Sequence, residues 1–467
     1  MRFIPLSLVL VVVPALCGEL LAADRDFGDP LGTDAMVPLK PSPALGGRVT
    51  AMPCGTALPA KPLGVIDVVD LALCNNSLTR EAWANARVQA ANLGVARSAW
   101  LPSLDGKGSV ARVWSEGTGS NSRTAALTLS WLLFDFGTRA ATVENARQLL
   151  AAAAASQDAT VQAIFLAALQ SYYGVQAGRA SVEALKEAER VAREAFDAAD
   201  TRYKVGVATP ADRLQSQTAW SQATLNRIRA EGDLRTAYGT LASVMGFDAQ
   251  QPYALADIPA LVPDTAFERD MAALIGEARQ RRPDLKAAEA QVAAARAGVD
   301  AVRAAGLPTV SLGAGPTWQE VGGVSTKGGS LGVTVNVPLF SGFATPYRVR
   351  AAEAQVDVRE AQRERLEKQV ALDVWKAWQG LSTTTQTLKT SADLVASAEA
   401  SAQVALGRYK AGLGSILDLL TAQSALASAR QQRIQATLDW NVNRATLAQA
   451  MGALDYRLLQ AAGEGKP

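Results

Sequence analysis

Histidine is absent from all 467 residues. Its absence removes the commonest general base, proton switch and metal ligand, and with them a Ser-His hydrolase or a His-bound zinc site. Cysteine is nearly absent, with three residues. An excess of one charge is missing too, since 46 basic side chains face 44 acidic ones, so nothing here draws the chain to nucleic acid. Beyond the amino terminus no apolar run reaches transmembrane length, so no transmembrane helix is expected. A carboxylate-only enzyme stays open on composition, but no two acids are spaced to converge in a cleft. No catalytic, cofactor or metal-binding residues are expected.

Residues 1–23 read as a secretory signal: Arg2 is basic, Ile4 to Leu16 is apolar, and Ala22 or Ala23 suits cleavage. Leu16 before Cys17 does not suit a lipoprotein signal. Cys54 and Cys74 then remain as a candidate disulfide pair in an oxidising compartment, or as two unrelated small apolar residues.

What the chain does contain is a duplication at an offset of 206 residues. Leu101-Pro102 recurs as Leu307-Pro308, and Leu133-Phe134 as Leu339-Phe340. Arg202-Tyr203-Lys204 with Gly206 recurs as Arg408-Tyr409-Lys410 with Gly412; Asp212 matches Asp418, and Met245-Gly246 matches Met451-Gly452. Such a repeat favours a symmetric wall or tube over a single pocket. The reading is an extended leader (24–64), a first repeat (65–246), a linker (247–267), a second repeat (268–452) and a tail (453–467).

Each repeat opens with a helix, at 66–100 and 268–305. Leu101-Pro102 stops the first, because proline disfavours helix in the residue before it. Strict period-two alternation follows. Leu127, Leu129, Trp131 and Leu133 share one face; so do Leu331, Val333, Val335, Val337 and Leu339, with Gly332, Thr334 and Asn336 opposite. These are expected β-hairpins, 103–134 and 309–340, with loops at Ser115–Ser122 and Gln319–Gly328. Small polar partners and strands of about ten residues match membrane strands with a lipid-facing apolar side. A soluble hairpin packed on a helix is the alternative. Trp114, Trp131 and Trp318 suit either a lipid interface or strand packing, and Trp100 marks the helix-to-strand junction.

Very long helices are expected at 138–203 and 344–409, rich in Ala, Leu, Glu, Gln and Arg. Val374, Leu381, Leu388, Val395 and Tyr409 lie on one heptad line and ask for a partner helix. Residues 210–246 and 415–451 supply return helices. The turns between, Gly206–Asp212 and Gly412–Asp418, fall at the far end of the rods from the strands. Asp212 and Asp418 sit in first helical turns, where capping alone accounts for them. A ring of Asp418 carboxylates around a pore would also attract cations. Four membrane strands cannot close, and an open edge in lipid leaves backbone groups unpaired, so several copies are required.

Asn75-Asn76-Ser77-Leu78, Arg97 with Leu101-Pro102-Ser103-Leu104, the two Arg-Tyr-x-x-Gly turns and Met451-Gly452 together resemble the TolC-like outer-membrane efflux and secretion channels over roughly residues 65–452. The resemblance implies a mainly α protein with membrane β: a homotrimer whose twelve-stranded barrel continues as a coiled-coil tunnel across the periplasm. It implies a periplasmic adaptor and an inner-membrane ABC transporter as partners, outer-membrane lipid around the barrel, and a transported protein substrate. Within the family the chain looks most like the type I secretion branch that releases RTX-type toxins such as cyclolysin. Small-molecule efflux is the alternative, and a periplasmic coiled-coil scaffold a remote one. By resemblance Tyr409 and Asp212 match a tyrosine–aspartate pair that helps hold the periplasmic mouth shut. The position of the two turns at the distal rod ends makes them, with Gly206, Gly412, Gly414 and Asp418, the expected gate and adaptor-docking surface. Gly414 stands where the family pattern has a gating arginine, and Thr421 where it has a second acid.

Overall fold

The computed structural model describes residues 29–37, 58, 61–115, 118–256 and 271–454. The signal segment, Cys54, part of the linker and most of the tail lie outside the described residues. Cys74 itself is disulfide-bonded.

The first repeat contains α1 (Val65–Asn75), α2 (Ser77–Ser98), β1 (Ser103–Ser115), β2 (Thr118–Phe134), α3 (Thr138–Lys204) and α4 (Pro210–Val244). The second contains α5 (Met271–Arg281), α6 (Pro283–Ala304), β3 (Thr309–Val321), β4 (Val324–Asn336), α7 (Ala344–Lys410) and α8 (Ile416–Ala450). Helices α3 and α7 each have 67 residues, rods of roughly 100 Å.

The leading helices are each broken, where the sequence reads as one. The breaks come at equivalent positions, Asn76 and Arg282, both with extended backbone. Asn76 caps α2 by accepting from the Leu78 N–H, and its amide donates to the Val244 carbonyl. Pro283 opens α6, since proline cannot donate into a continuing helix. The hairpin loops are also shorter than expected. The ladders run through Ser115↔Thr118 and Val321↔Val324, and Gly322-Gly323, both at positive φ, make the second turn. Strand β4 stops at Asn336 while β2 continues to Phe134. Pro338 stands where the first repeat has Leu132, and proline has no N–H for a ladder.

The four strands form one antiparallel sheet in chain order. Leu104 pairs with Leu129, Leu129 with Ala314, and Ala314 with Leu331, so one apolar row crosses all four strands. Trp131, Leu312 and Val333 form the next row. The opposite face carries Ser130, Gly313 and Gly332, again in register. On the apolar side Leu127, Trp131, Leu331, Val333, Val335 and Val337 are exposed and Leu129 is half-buried. Strands β1 and β4 are the sheet's two free edges.

Below the sheet the long helices gather the core. Phe165, Leu169 and Tyr172 of α3 are fully enclosed with Val68, Leu241 and Met245. The second repeat builds the matching cluster from Leu274, Val374, Leu381 and Leu447. Full burial of each large side chain stabilises by about 1.5–3 kcal/mol. On the heptad line Val374, Leu381, Leu388 and Tyr409 are buried and Val395 is half-buried. Helix α3 also contains a window of mean hydropathy 1.3, apolar enough to cross a membrane by composition. Its Ile164, Phe165 and Leu169 are spent instead on this core.

The junction between sheet and rods differs between repeats. Buried Arg139 donates to the Leu132 carbonyl at 2.6 Å and the Leu133 carbonyl at 3.2 Å, and pairs with buried Asp135 at 3.1 Å. Its guanidinium lies 4.2 Å from the centre of the Trp100 ring. The second repeat has Thr345, Ser341 and Gly306 at these three places.

Candidate functional site

Both long helices end in the same device. Ala411 and Val205 close the helices, and Gly412 and Gly206 follow at φ +75° and +80°. The Gly206 N–H donates to the Tyr203 carbonyl and the Val207 N–H to the Arg202 carbonyl; Gly412 and Leu413 repeat this on Tyr409 and Arg408. Glycine suits a left-handed residue that completes these two bonds. The chain then turns directly into α4 and α8.

Thr209 and Ser415 start the return helices with reciprocal caps. The Asp212 carboxylate accepts from the Thr209 N–H and hydroxyl, each at 2.9 Å. The Asp418 carboxylate accepts from the Ser415 N–H at 3.3 Å, and the Ser415 hydroxyl accepts from the Asp418 N–H at 3.0 Å. Asp212 is half-buried and Asp418 exposed. The capping expected of both acids is thus present.

No hydrogen bond joins the Tyr409 hydroxyl to the Asp212 carboxylate among the described residues. Tyr409 is buried with Ala195, Ile416 and Leu419, and its hydroxyl has no hydrogen-bond partner among the described residues. What reaches Tyr409 is Arg202, from the other repeat. Its guanidinium sits 4.9 Å from the ring centre and donates to the Tyr409 carbonyl at 3.2 Å. Gly414 packs closely: a Cβ there would come 3.2 Å from Arg408 Cβ and 3.3 Å from the Tyr409 nitrogen. The turn therefore presses on the last turn of α7 where the family pattern has a long cation.

Sequence reasoning missed a charged knot on the first turn. Asp200 accepts from Lys204 Nζ and from Arg213 Nε, each at 2.6 Å. Hydrogen bonds from Lys204, then Arg213, hold its carboxyl below the ordinary aspartate range. Arg213 also lies 5.7 Å from the Tyr203 ring centre. A signal was present, because Leu419 is the repeat counterpart of Arg213, a change from apolar to charged at a matched position.

The family described as outer membrane efflux protein matches residues 68–247 and again 274–453. Protein CyaE of Bordetella pertussis is 32% identical over 401 residues, 84% of each chain. The outer membrane efflux protein BepC of Brucella suis is 26% identical, covering 81% of this chain and 83% of its own. In structure, the chain is similar to the CmeC outer membrane channel of Campylobacter jejuni, with a TM-score of 0.73, 18% identity, and coverage of 86% of this chain and 89% of that one. It is equally similar to the outer membrane protein VceC of Vibrio cholerae, with a TM-score of 0.73, 20% identity, and coverage of 83% and 96%. Two family matches at the repeat offset, on a sheet with one apolar face above two long helical hairpins, place this chain in the outer membrane efflux protein family, the channels that carry efflux and secretion through the outer membrane and reach into the periplasm.

Proposed function

We propose that this chain is the outer-membrane exit duct of a tripartite type I secretion system, releasing an RTX-type protein with a periplasmic adaptor and an inner-membrane ABC transporter. Three copies would close a twelve-stranded barrel, since the four strands here leave the edges β1 and β4 unpaired. The apolar rows through Leu129 and Val333 would face lipid, and the Ser130 and Gly313 side the lumen. One observation carries the choice of secretion: identity to Protein CyaE is 32%, against 26% to BepC and 27% to the efflux pump protein TtgC of Pseudomonas putida, over similar lengths. The test is complementation in a cell that keeps a type I transporter and adaptor but lacks its exit channel. Toxin in the medium supports secretion. Restored drug resistance with no released toxin supports small-molecule efflux instead.

The turns Gly206–Asp212 and Gly412–Asp418 are the proposed mouth and adaptor-docking surface. Support comes from their place at the distal ends of two rods, and from the exposed Asp418 carboxylate. Three such carboxylates around a pore would favour cations, most strongly at low salt. Asp418→Ala should lower cation selectivity in planar bilayers. Unchanged selectivity would leave Asp418 a helix cap only.

A further inference from the structure

On the apolar side of the sheet the side chains change character at one height. Along β2 that side carries Leu133, Trp131, Leu129, Leu127 and Ala125, and then Arg123 and Asn121. From Leu133 to Arg123 the strand rises about 33 Å, or about 25 Å along the membrane normal at the tilt of barrel strands, the height of an outer-membrane apolar band. Arg123 therefore stands at the rim of that band. The rim is the outer one. The helices that reach into the periplasm leave from the opposite ends of the strands, so the hairpin turns at Ser115↔Thr118 and Val321↔Val324 face away from the cell.

Arg112 of β1 is opposite Asn121 and diagonal to Arg123, which makes the two arginines neighbours on one face. The Arg112 guanidinium lies 5.7 Å from the centre of the Trp114 ring. Gly119, opposite Trp114, gives both side chains room: a Cβ there would come 3.0 Å from the Trp114 indole nitrogen and 3.3 Å from Arg112 Nε. Arg123 reaches Glu320 only at 3.6 Å, and its side chain is 50% exposed. Lys327, opposite Trp318, is also exposed. Among the described residues neither Arg112 nor Lys327 has a carboxylate partner. Three cations against the Glu320 carboxylate leave the rim net positive. The duplication does not impose this pair, since the repeat counterparts of Arg112 and Arg123 are Trp318 and Gly329.

We propose that Arg112 and Arg123 bind a phosphate of the phosphorylated glycolipid that forms the outer leaflet of the outer membrane. The inference rests on the lipid-facing reading of the apolar rows. A positive rim directly above an apolar band matches an amphiphile with an anionic head and acyl chains. The arginine fork holds phosphate through paired N–H bonds, and two forks at diagonal strand positions can close on one phosphate. Trp114 and Trp318 sit at the same level, where an indole spans the boundary between head and chain. Below the pair the face is low. Gly108 lies opposite Ala125, and nothing comes within 4 Å of a Cβ placed on Gly108, which leaves a shallow course for an acyl chain.

The test titrates full-length protein in mild detergent with bis-phosphorylated lipid A and with the same lipid dephosphorylated, read by native mass spectrometry. Heat-modifiable migration is checked on each sample. The parent should bind the phosphorylated lipid about tenfold tighter, the effect of one or two charge-assisted hydrogen bonds. Arg112→Gln with Arg123→Gln should remove that preference, and Arg112→Gln alone, which breaks no ion pair, should reduce it. Lys107→Gln, opposite Ala126 on the other face, should leave it unchanged. If the double variant does not assemble, Arg112→Gln alone decides. Equal binding of the two lipids by the parent overturns the site while leaving the barrel standing. So does a preference that survives the arginine substitutions or falls as far with Lys107→Gln. A parent protein without heat-modifiable migration overturns the lipid-facing reading and the site together.

Discussion

The Arg139 guanidinium lies 4.2 Å from the centre of the Trp100 ring while holding the buried Asp135 carboxylate at 3.1 Å. Three elements meet there: the end of α2, the end of β2 and the start of α3. Arg139→Met leaves Asp135 buried without its cation, which should destabilise by about 3–5 kcal/mol. The second repeat shows the neutral solution, Thr345 facing Ser341 at 3.3 Å. Arg139→Thr combined with Asp135→Ser should therefore cost less than Arg139→Met alone. Denaturant melts of the three proteins decide it; an additive, equal loss would mean the ion pair does not act as a unit.

Gly246 and Gly206 both take positive φ, but only Gly246 is crowded. A Cβ on Gly246 would lie 2.6 Å from the carbonyl carbon of Asn75, at the helix break, whereas Gly206 has nothing within 4 Å. Gly206→Ala should cost about 1–2 kcal/mol, the strain of a left-handed residue. Gly246→Ala adds a backbone clash and should cost clearly more, read as a lower midpoint in thermal unfolding. Equal losses would show that the Asn75 segment yields freely.

Much of this architecture was legible from period and offset. Period two marked both hairpins, and the absence of interior proline together with alanine-rich composition marked both rods. The exceptions have local causes. The breaks at Asn76 and Arg282 depend on capping and on packing against Val244 and Gly452, contacts more than a hundred residues away in the chain. Glycine- and serine-rich strand ends read as loops because nothing in their composition reveals a ladder partner. At the turns that end the long helices, the caps on Asp212 and Asp418 follow from Thr209 and Ser415 three residues before them. That Arg202, and not Asp212, would reach Tyr409 could not be read, because Arg202 and Arg408 are identical in sequence and differ only in which neighbour each meets.

Val335 pairs with Val310 on the apolar face, and Thr334 with Ser311 on the other. Val335→Arg should cost about 2–4 kcal/mol if it falls near the bilayer midplane, while Thr334→Arg should be tolerated. Membrane insertion yield measures both. Equal yields would remove the lipid-facing assignment.

The Asp200 knot makes the first turn acid-sensitive. Its carboxyl titrates below the ordinary aspartate value of 3.8, so the ionised form is favoured in the folded turn. The stabilisation is then present above that value and is lost as pH falls through the lower folded one. Hydrogen exchange at residues 200–213, corrected for intrinsic rate, should be faster in Asp200→Asn than in the parent at pH 6. Well below 3.8 the two should converge. A gap that persists in acid would show that the carboxylate charge is not what holds the turn.

The central claim is that copies of this chain form a closed conduit through a membrane, and single-channel recording in planar bilayers tests it most directly. Purified protein added to one side should produce discrete, uniform conductance steps, one per inserted assembly. Protein that is folded and bound to the bilayer but gives no steps, or only irregular leak under every condition that opens comparable channels, would contradict it.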